Sequence, residues 1–333
     1  EREQVGLGWA GGNGAAMLVR AIGCGVTAAG GTALISDAPC ASAAAWLGRY
    51  YTLPMTAFVQ QDGDAAEVRL FGRSGLALAR VRPGYAAEAA RLTRLSGLPL
   101  RPLRVRVEKG EGANDVLASA LTALGCQVRR GMSRGEPTFS ADWGGFRLTA
   151  WDEEGRMISP DRVLVLLTRI EMEHGRKQAA LPAWAPSAAQ QVADSFQGRL
   201  LRLGQDGEEA EKLWREEPWV WDAVLAACRI AARLGLTGET LSRLDHSIPN
   251  FATVRGEVPL HTGRGRVMGR ALESLSAVSQ GEGVRLRAGE GWIYLVPSGS
   301  RNALRLIAEA VDMETAAELC GEYEEKLKKL DRE

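Results

Sequence analysis

Apolar residues in this chain switch repeatedly between the alternation of a strand and the face-repeating spacing of a helix, and that change of period limits the fold more than any other feature. The stretches MLVRAIGCGVTAAG (17–30), TALIS (32–36), ASAAAWLGRYY (41–51), MTAFVQ (55–60) and AEVRLFG (66–72) follow a strand, helix, strand, helix, strand rhythm. Such a rhythm predicts an α/β layer with a mostly parallel sheet. From about residue 98 it restarts. LRVRVEK (103–109) alternates, NDVLASALTALG (114–125) carries helical spacing and stops on Gly125, and CQVRRG returns to strand. FRLTAWDEEGR (146–156) reads as a hairpin, and SPDRVLVLLTRIEMEHG as a helix started by Ser159 and Asp161.

Ala, Pro and Ser concentrate over 178–188 and mark a boundary. Beyond it come QQVADSFQG (190–198), a charged stretch from Gln205 to Glu217, and the helix WDAVLAACRIAARLG (221–235). The last segment alternates through VRGEVPL (254–260), a helix with VMGRALESL, the strands VRLRAG, GWIYLVP and ALRLIAEAV, and a charged terminal helix. The expected fold class is therefore α/β and multi-domain. Three α/β layers, 1–97, 98–178 and 179–252, precede a smaller α+β layer at 253–333.

At 333 residues the chain has room for several cores. Lysine and arginine total 41, as do aspartate and glutamate, so no overall field draws the protein to nucleic acid or to an anionic membrane. Cys24, Cys40, Cys126, Cys228 and Cys320 are scattered, with no C-x-x-C spacing. They fit reduced thiols better than a disulfide framework or a zinc site. No apolar run approaches the roughly 20 residues that span a bilayer, and residues 1–10 lack the pattern of a secretory leader. The expected compartment is the cytoplasm.

GLGWAG (6–11) matches G-x-G-x-x-G, with Asp37 ending a strand-like stretch downstream, so dinucleotide binding is an alternative to a plain glycine-rich βα turn. Asp62 and Asp64 in QQDGD (60–64), and Asp142 in DWGGFR (142–147), are weak metal candidates, because hard cations want several converging oxygens. As solvated turns they need no such role. His174, His246 and His261 have no partner at motif spacing. Trp214, Trp219 and Trp221 read as caps on a core, with a recognition surface as the alternative. The turn after GWIYLVP differs in kind. Pro297 stiffens it, Gly299 admits close backbone approach, Ser298 and Ser300 offer hydroxyls, and Arg305 offers a charged donor, a combination suited to phosphate.

With its neighbours, that turn resembles the phosphate loop of the α-D-phosphohexomutases, the family of phosphoglucomutase, phosphomannomutase and phosphoglucosamine mutase. The family pattern W-x-x-x-R-P-S-G-T-E-P-x-x-R is followed here by W-I-Y-L-V-P-S-G-S-R-N-A-L-R (292–305), with Val296 for arginine and Arg301 for glutamate. WDEEGRMISPDRVLVLL, WDAVLAACRIAARLGLTGETLSRLDHSIPN and YYTLPMTAFVQQDGDAAEVRLFGRSGLAL are similar to other family segments in order. The resemblance implies three α/β domains, the first and third shortened, and a C-terminal phosphate-loop domain. It also implies that the chain begins near the family's second strand.

The family's chemistry does not carry over residue by residue. Its phosphoserine sits in T-A-S-H-N-P, and the Val59–Asp64 stretch stands there with no hydroxyl. Its metal loop is D-x-D-x-D-R, where this chain keeps Asp142 and Arg147 but has Gly144 and Phe146 for two ligands. The sugar loop G-E-x-S-G has no counterpart between Gly198 and Trp221. The resemblance therefore implies no catalytic serine, no cofactor, and a residual role binding a hexose phosphate or a protein partner through Ser298, Gly299, Ser300 and Arg305. The alternative is an active phosphoglucomutase or phosphomannomutase-type isomerase, in which Asp62, Asp64 and Asp142 gather Mg²⁺ at a rearranged site. A dinucleotide-binding oxidoreductase is the distant third reading.

Overall fold

The computed structural model describes residues 3–38, 40–62, 65–72, 102–110, 112–142, 144–216, 218–298 and 302–332. The chain divides into two compact units, 1–163 with 218–245, and 164–217 with 246–333.

The first unit opens with β1 (Gln4–Ala10), α1 (Asn13–Ala28), β2 (Thr32–Asp37), α2 (Ala41–Tyr50), β3 (Met55–Asp62) and β4 (Ala65–Gly72). They form a sheet of order β2-β1-β3-β4, parallel except for β4. Alternation along β3 sends Ala57 and Val59 to one face, under Ala15 and Val19 of α1, and Phe58 to the other, under Ala41 and Ala44 of α2. The glycines of GLGWAG do not all turn the chain. Gly6 and Gly8 lie inside β1, where an added Cβ would come within 2.8 Å of Leu53 and of Ala38 respectively. Close packing requires them, and the turn belongs to Gly11, at φ 106°, and Gly12. The reading of 6–11 as a βα turn is corrected accordingly, and the dinucleotide fingerprint, which needs its first glycine at the turn, loses its geometric basis.

A second sheet follows from β5 (Arg104–Val107), α3 (Ala113–Leu124), β6 (Gln127–Arg130), β7 (Thr138–Ala141), β8 (Leu148–Trp151) and β9 (Met157–Ile158), in the order β6-β5-β7-β8-β9. Gly125 ends α3 in the left-handed region, as its sequence suggests. The β8–β9 connection is the expected hairpin. Next, α4 (Pro160–Glu173) starts where the Arg162 amide donates to Ser159 Oγ at 3.3 Å.

Most of α4, from Leu164 on, belongs to the second unit, whereas two later helices, α7 (Ala223–Thr237) and all but the last residue of α8 (Leu241–His246), belong to the first. The sequence groups α7 with the third layer, yet α7 packs on α3 and on the second sheet. The hairpin holds α8 in place: the Leu241 and Ser242 amides donate to the two carboxylate oxygens of Glu153 at 2.9 and 3.0 Å.

The second unit contains a parallel strand pair, β10 (Gln178–Leu181) and β11 (Arg199–Arg202), with α5 (Ser187–Ser195) between them and α6 (Gly207–Glu216) after them. Its larger part is the antiparallel sheet β12-β16-β15-β14-β13, made from β12 (Ala252–Pro259), β13 (Val278–Gln280), β14 (Gly283–Ala288), β15 (Gly291–Pro297) and β16 (Ala303–Ala310). With α9 (Arg264–Ser274) and α10 (Met313–Arg332) it buries Val258, Leu286, Ile293, Leu306 and Leu327, giving the expected α+β layer.

The two parts of this unit are tied by charge. Glu309 on β16 accepts from the Ser187 amide at 2.9 Å and lies 3.6 Å from Arg285. Arg202 is buried and donates to the carbonyl of Ala185 at 2.8 Å; burial and then the neighbouring Arg285 push its guanidinium down to about 10. All five cysteines are thiols outside any disulfide, and four are buried. Among the described residues no helix is long and apolar enough to cross a membrane.

Candidate functional site

The Val59–Asp64 stretch runs as strand up to Asp62, which closes β3 at the end of the β3–β4 hairpin, paired with Ala65. Gly63 and Asp64 lie outside the described residues. Thr56 is 2% exposed and Gln60 3%, and neither Thr56 Oγ1 nor Gln60 Oε1 has a hydrogen-bond partner. Gln61 is aimed the other way. Its Oε1 accepts from the Ala15 amide in the first turn of α1 at 3.2 Å. A Cβ on Gly14 would lie 2.5 Å from that oxygen, so G-G-N-G at 11–14 is what lets the turn close over the side chain. A helix N-terminus, where an anion is otherwise favoured, is thus occupied by a neutral amide of the same chain.

The loop from Asp142 to Arg147 is folded on itself. Asp142 Oδ1 accepts from the amides of Phe146 at 2.8 Å and Arg147 at 3.1 Å, and the Asp142 amide donates to the Arg147 carbonyl at 2.8 Å. Arg147 in turn reaches buried Asp161 at 3.1 Å. From the side, the Ala223 amide at the start of α7 donates to the Gly145 carbonyl at 3.0 Å. Phe146 leaves the loop for the first sheet and packs on the cluster of Ala38, Ala41, Ala44 and Phe58, its ring centroid 6.1 Å from that of Phe71. A Cβ on Gly144 would lie 2.8 Å from this ring and 2.9 Å from Arg69 Nη1. Among the described residues no three His, Cys, Asp or Glu side chains are grouped to hold a metal.

At the Pro297 turn, Ser298 is fully buried. Its hydroxyl donates to Glu257 Oε1 at 2.9 Å, its amide donates to the Ala303 carbonyl at 2.9 Å, and its carbonyl accepts from Arg264. Gly299, Ser300 and Arg301 lie outside the described residues. Arg305 is exposed on β16, opposite Glu257 on β12 and Val296 on β15. Sequence reading missed Glu257 and Arg264, although G-R-G-R at 263–266 is a visible basic helix start. His174 Nδ1 sits 2.7 Å from the Ile170 carbonyl, His261 and His246 join no metal group among the described residues, Trp219 is buried, and Trp214 packs on Ala180, Leu201 and Ala210.

Comparison with known proteins agrees with this architecture. "Probable phosphoglucosamine mutase" of Methanococcoides burtonii is 28% identical over 187 residues, covering 49% of this chain and 42% of that protein. The phosphoglucomutase/phosphomannomutase family protein of Burkholderia thailandensis superimposes with a TM-score of 0.71 over 98% of this chain and 89% of its own, at 16% identity. The chain is similar in part of its sequence to phosphoglucosamine mutases and in fold to phosphohexomutases. Aspergillus fumigatus N-acetylphosphoglucosamine mutase, solved with GlcNAc-6P and magnesium, matches the fold with a TM-score of 0.64 over 99% of this chain and 78% of its own, at 11% identity. No family model matches the chain. The match spans less than half the length of the curated relative from Methanococcoides burtonii.

Proposed function

We propose that this phosphohexomutase relative has lost phosphosugar mutase chemistry and keeps a role in binding a hexose phosphate, or a protein partner, through its C-terminal layer. One observation carries the reading: Phe146, in the loop aligned with the metal site, is packed into the apolar cluster around Phe58. The residues present do not fit Mg²⁺. Octahedral magnesium wants oxygens at close range; Gly144 and Phe146 supply no side-chain oxygen, and one oxygen of Asp142 is engaged by two backbone amides. Without magnesium the charge of a moving phosphoryl group loses its main stabiliser, and without a hydroxyl at 59–64 the group has no acceptor there. For ligand binding, Arg305 and Arg264 are the cations near the turn among the described residues, and the thiol state of the cysteines supports a cytoplasmic setting.

The test is a mutase assay on glucose, mannose and glucosamine 1-phosphates with magnesium and a bisphosphate activator. The expected result is no turnover above the blank and no phosphorylated species by intact mass; turnover well above the blank would sink the reading and favour a rearranged active site. Titration of glucose 6-phosphate into wild type and Arg305→Ala separately tests the binding role. Equal affinities would remove Arg305 from it.

A further inference from the structure

Where β10 and β11 begin, the second unit has a cavity of about 410 Å³. Its wall is formed by Arg176, Lys177 and Gln178 as the chain enters β10, by Gln197 and Arg199 as it enters β11, and by Leu213 of α6. The two approaches are locked side by side, with the Arg199 amide donating to the Lys177 carbonyl at 2.7 Å. This is the end of the strand pair from which the strands start, whereas the ligands of open α/β sheets gather at the carboxyl ends.

The cavity carries more positive than negative charge. Arg176 Nε is 3.0 Å from Glu171, and Arg199 Nη1 is 3.3 Å from Glu209. Lys177 Nζ meets a carbonyl, that of Phe196, at 3.5 Å. Both side chains of the Arg199–Glu209 pair are more than half exposed, so an incoming anion displaces it at little cost. Gln197 is held at φ 54°, in the left-handed region, while glycine occupies the next position. That conformation ends α5, where the Gly198 amide closes the last turn by donating to the Ala193 carbonyl at 2.8 Å, and it turns the Gln197 side chain to the cavity wall. The volume falls within the range of small-molecule sites, and two carboxamides beside the cations suit hydroxyl groups next to a phosphate.

We propose that this cavity binds a phosphate monoester of a polyol about the size of a hexose phosphate, with Lys177 and Arg199 holding the phosphate and Gln178 and Gln197 the hydroxyls. The proposal is independent of the Pro297 turn. It is tested by calorimetric titration of glucose 6-phosphate into the full chain as wild type, as the Lys177→Gln/Arg199→Gln variant and as Arg305→Ala, with glucose as the uncharged control. Affinity should fall about tenfold or more in the double variant, persist at this site in Arg305→Ala, and be absent for glucose. Acetylation of Lys177 in the wild type, followed by mass spectrometry, should slow at saturating glucose 6-phosphate. This second readout does not depend on how the variants fold. Unchanged affinity in the double variant, or acetylation of Lys177 at the same rate with and without ligand, would overturn the proposal, as would the absence of binding by wild type.

Discussion

Phe146 is half-buried against Ala38, Phe58 and Phe71, and this one side chain links the loop of the second sheet to the first. Phe146→Ala should lower stability by about 2 kcal/mol, below the range for a fully buried phenylalanine because part of the ring is exposed. Phe146→Asp should cost more, about 3 kcal/mol, since a carboxylate would enter the apolar cluster of Ala38, Ala41, Ala44 and Phe58. Urea unfolding of the two variants measures both, and added magnesium should not rescue Phe146→Asp. Residue identity alone showed that two carboxylates and a hydroxyl were missing. What fills their places was not legible, because the contacts of Phe146 with Phe58 and of Gln61 with Ala15 join positions far apart in the chain, beyond the reach of a local pattern.

Among the elements, α10 has the clearest pH signature. Asp331, near its end, accepts from the amides of His261 at 2.7 Å and Thr262 at 2.8 Å, fastening the helix to the segment between β12 and α9. The His261 amide and the Thr262 hydroxyl, ahead of smaller contributions, hold its carboxyl down from 3.8 to about 2. A lowered folded-state value stabilises the protein above the unfolded value and is lost as pH falls through the folded one. Asp331→Ala should therefore lower the thermal midpoint at neutral pH, and the gap from wild type should close between about pH 4 and pH 2. For α7, Asp222 accepts from the Val224 and Leu225 amides at 2.9 and 3.0 Å, and Asp222→Ala should cost about 1–2 kcal/mol in chemical denaturation. Punctuation made many of these elements readable: Gly125 stops α3 and Ser159 starts α4. β13, only three residues long, gave too little alternation to detect. The glycines of β1 misled because close packing and turning leave the same letter in the sequence.

For the whole molecule, order along the chain and neighbourhood in space part company at α7. Period and punctuation placed that helix correctly on residues 221–235 but assigned it to the layer preceding it in sequence, since nothing local to a helix names the surface it will meet. The first unit is completed only by residues 218–245. A fragment of residues 1–163 should leave the amides of β5 and β7 open to hydrogen exchange that the full chain resists, and joining 218–245 to it through a glycine-serine linker should restore their protection. That division also sets a timetable during synthesis. The ribosome delivers the strands of the second sheet long before the helix that covers them, and in between it must release all of 164–217, so the nascent N-terminal part waits with an uncovered apolar face that a chaperone could hold.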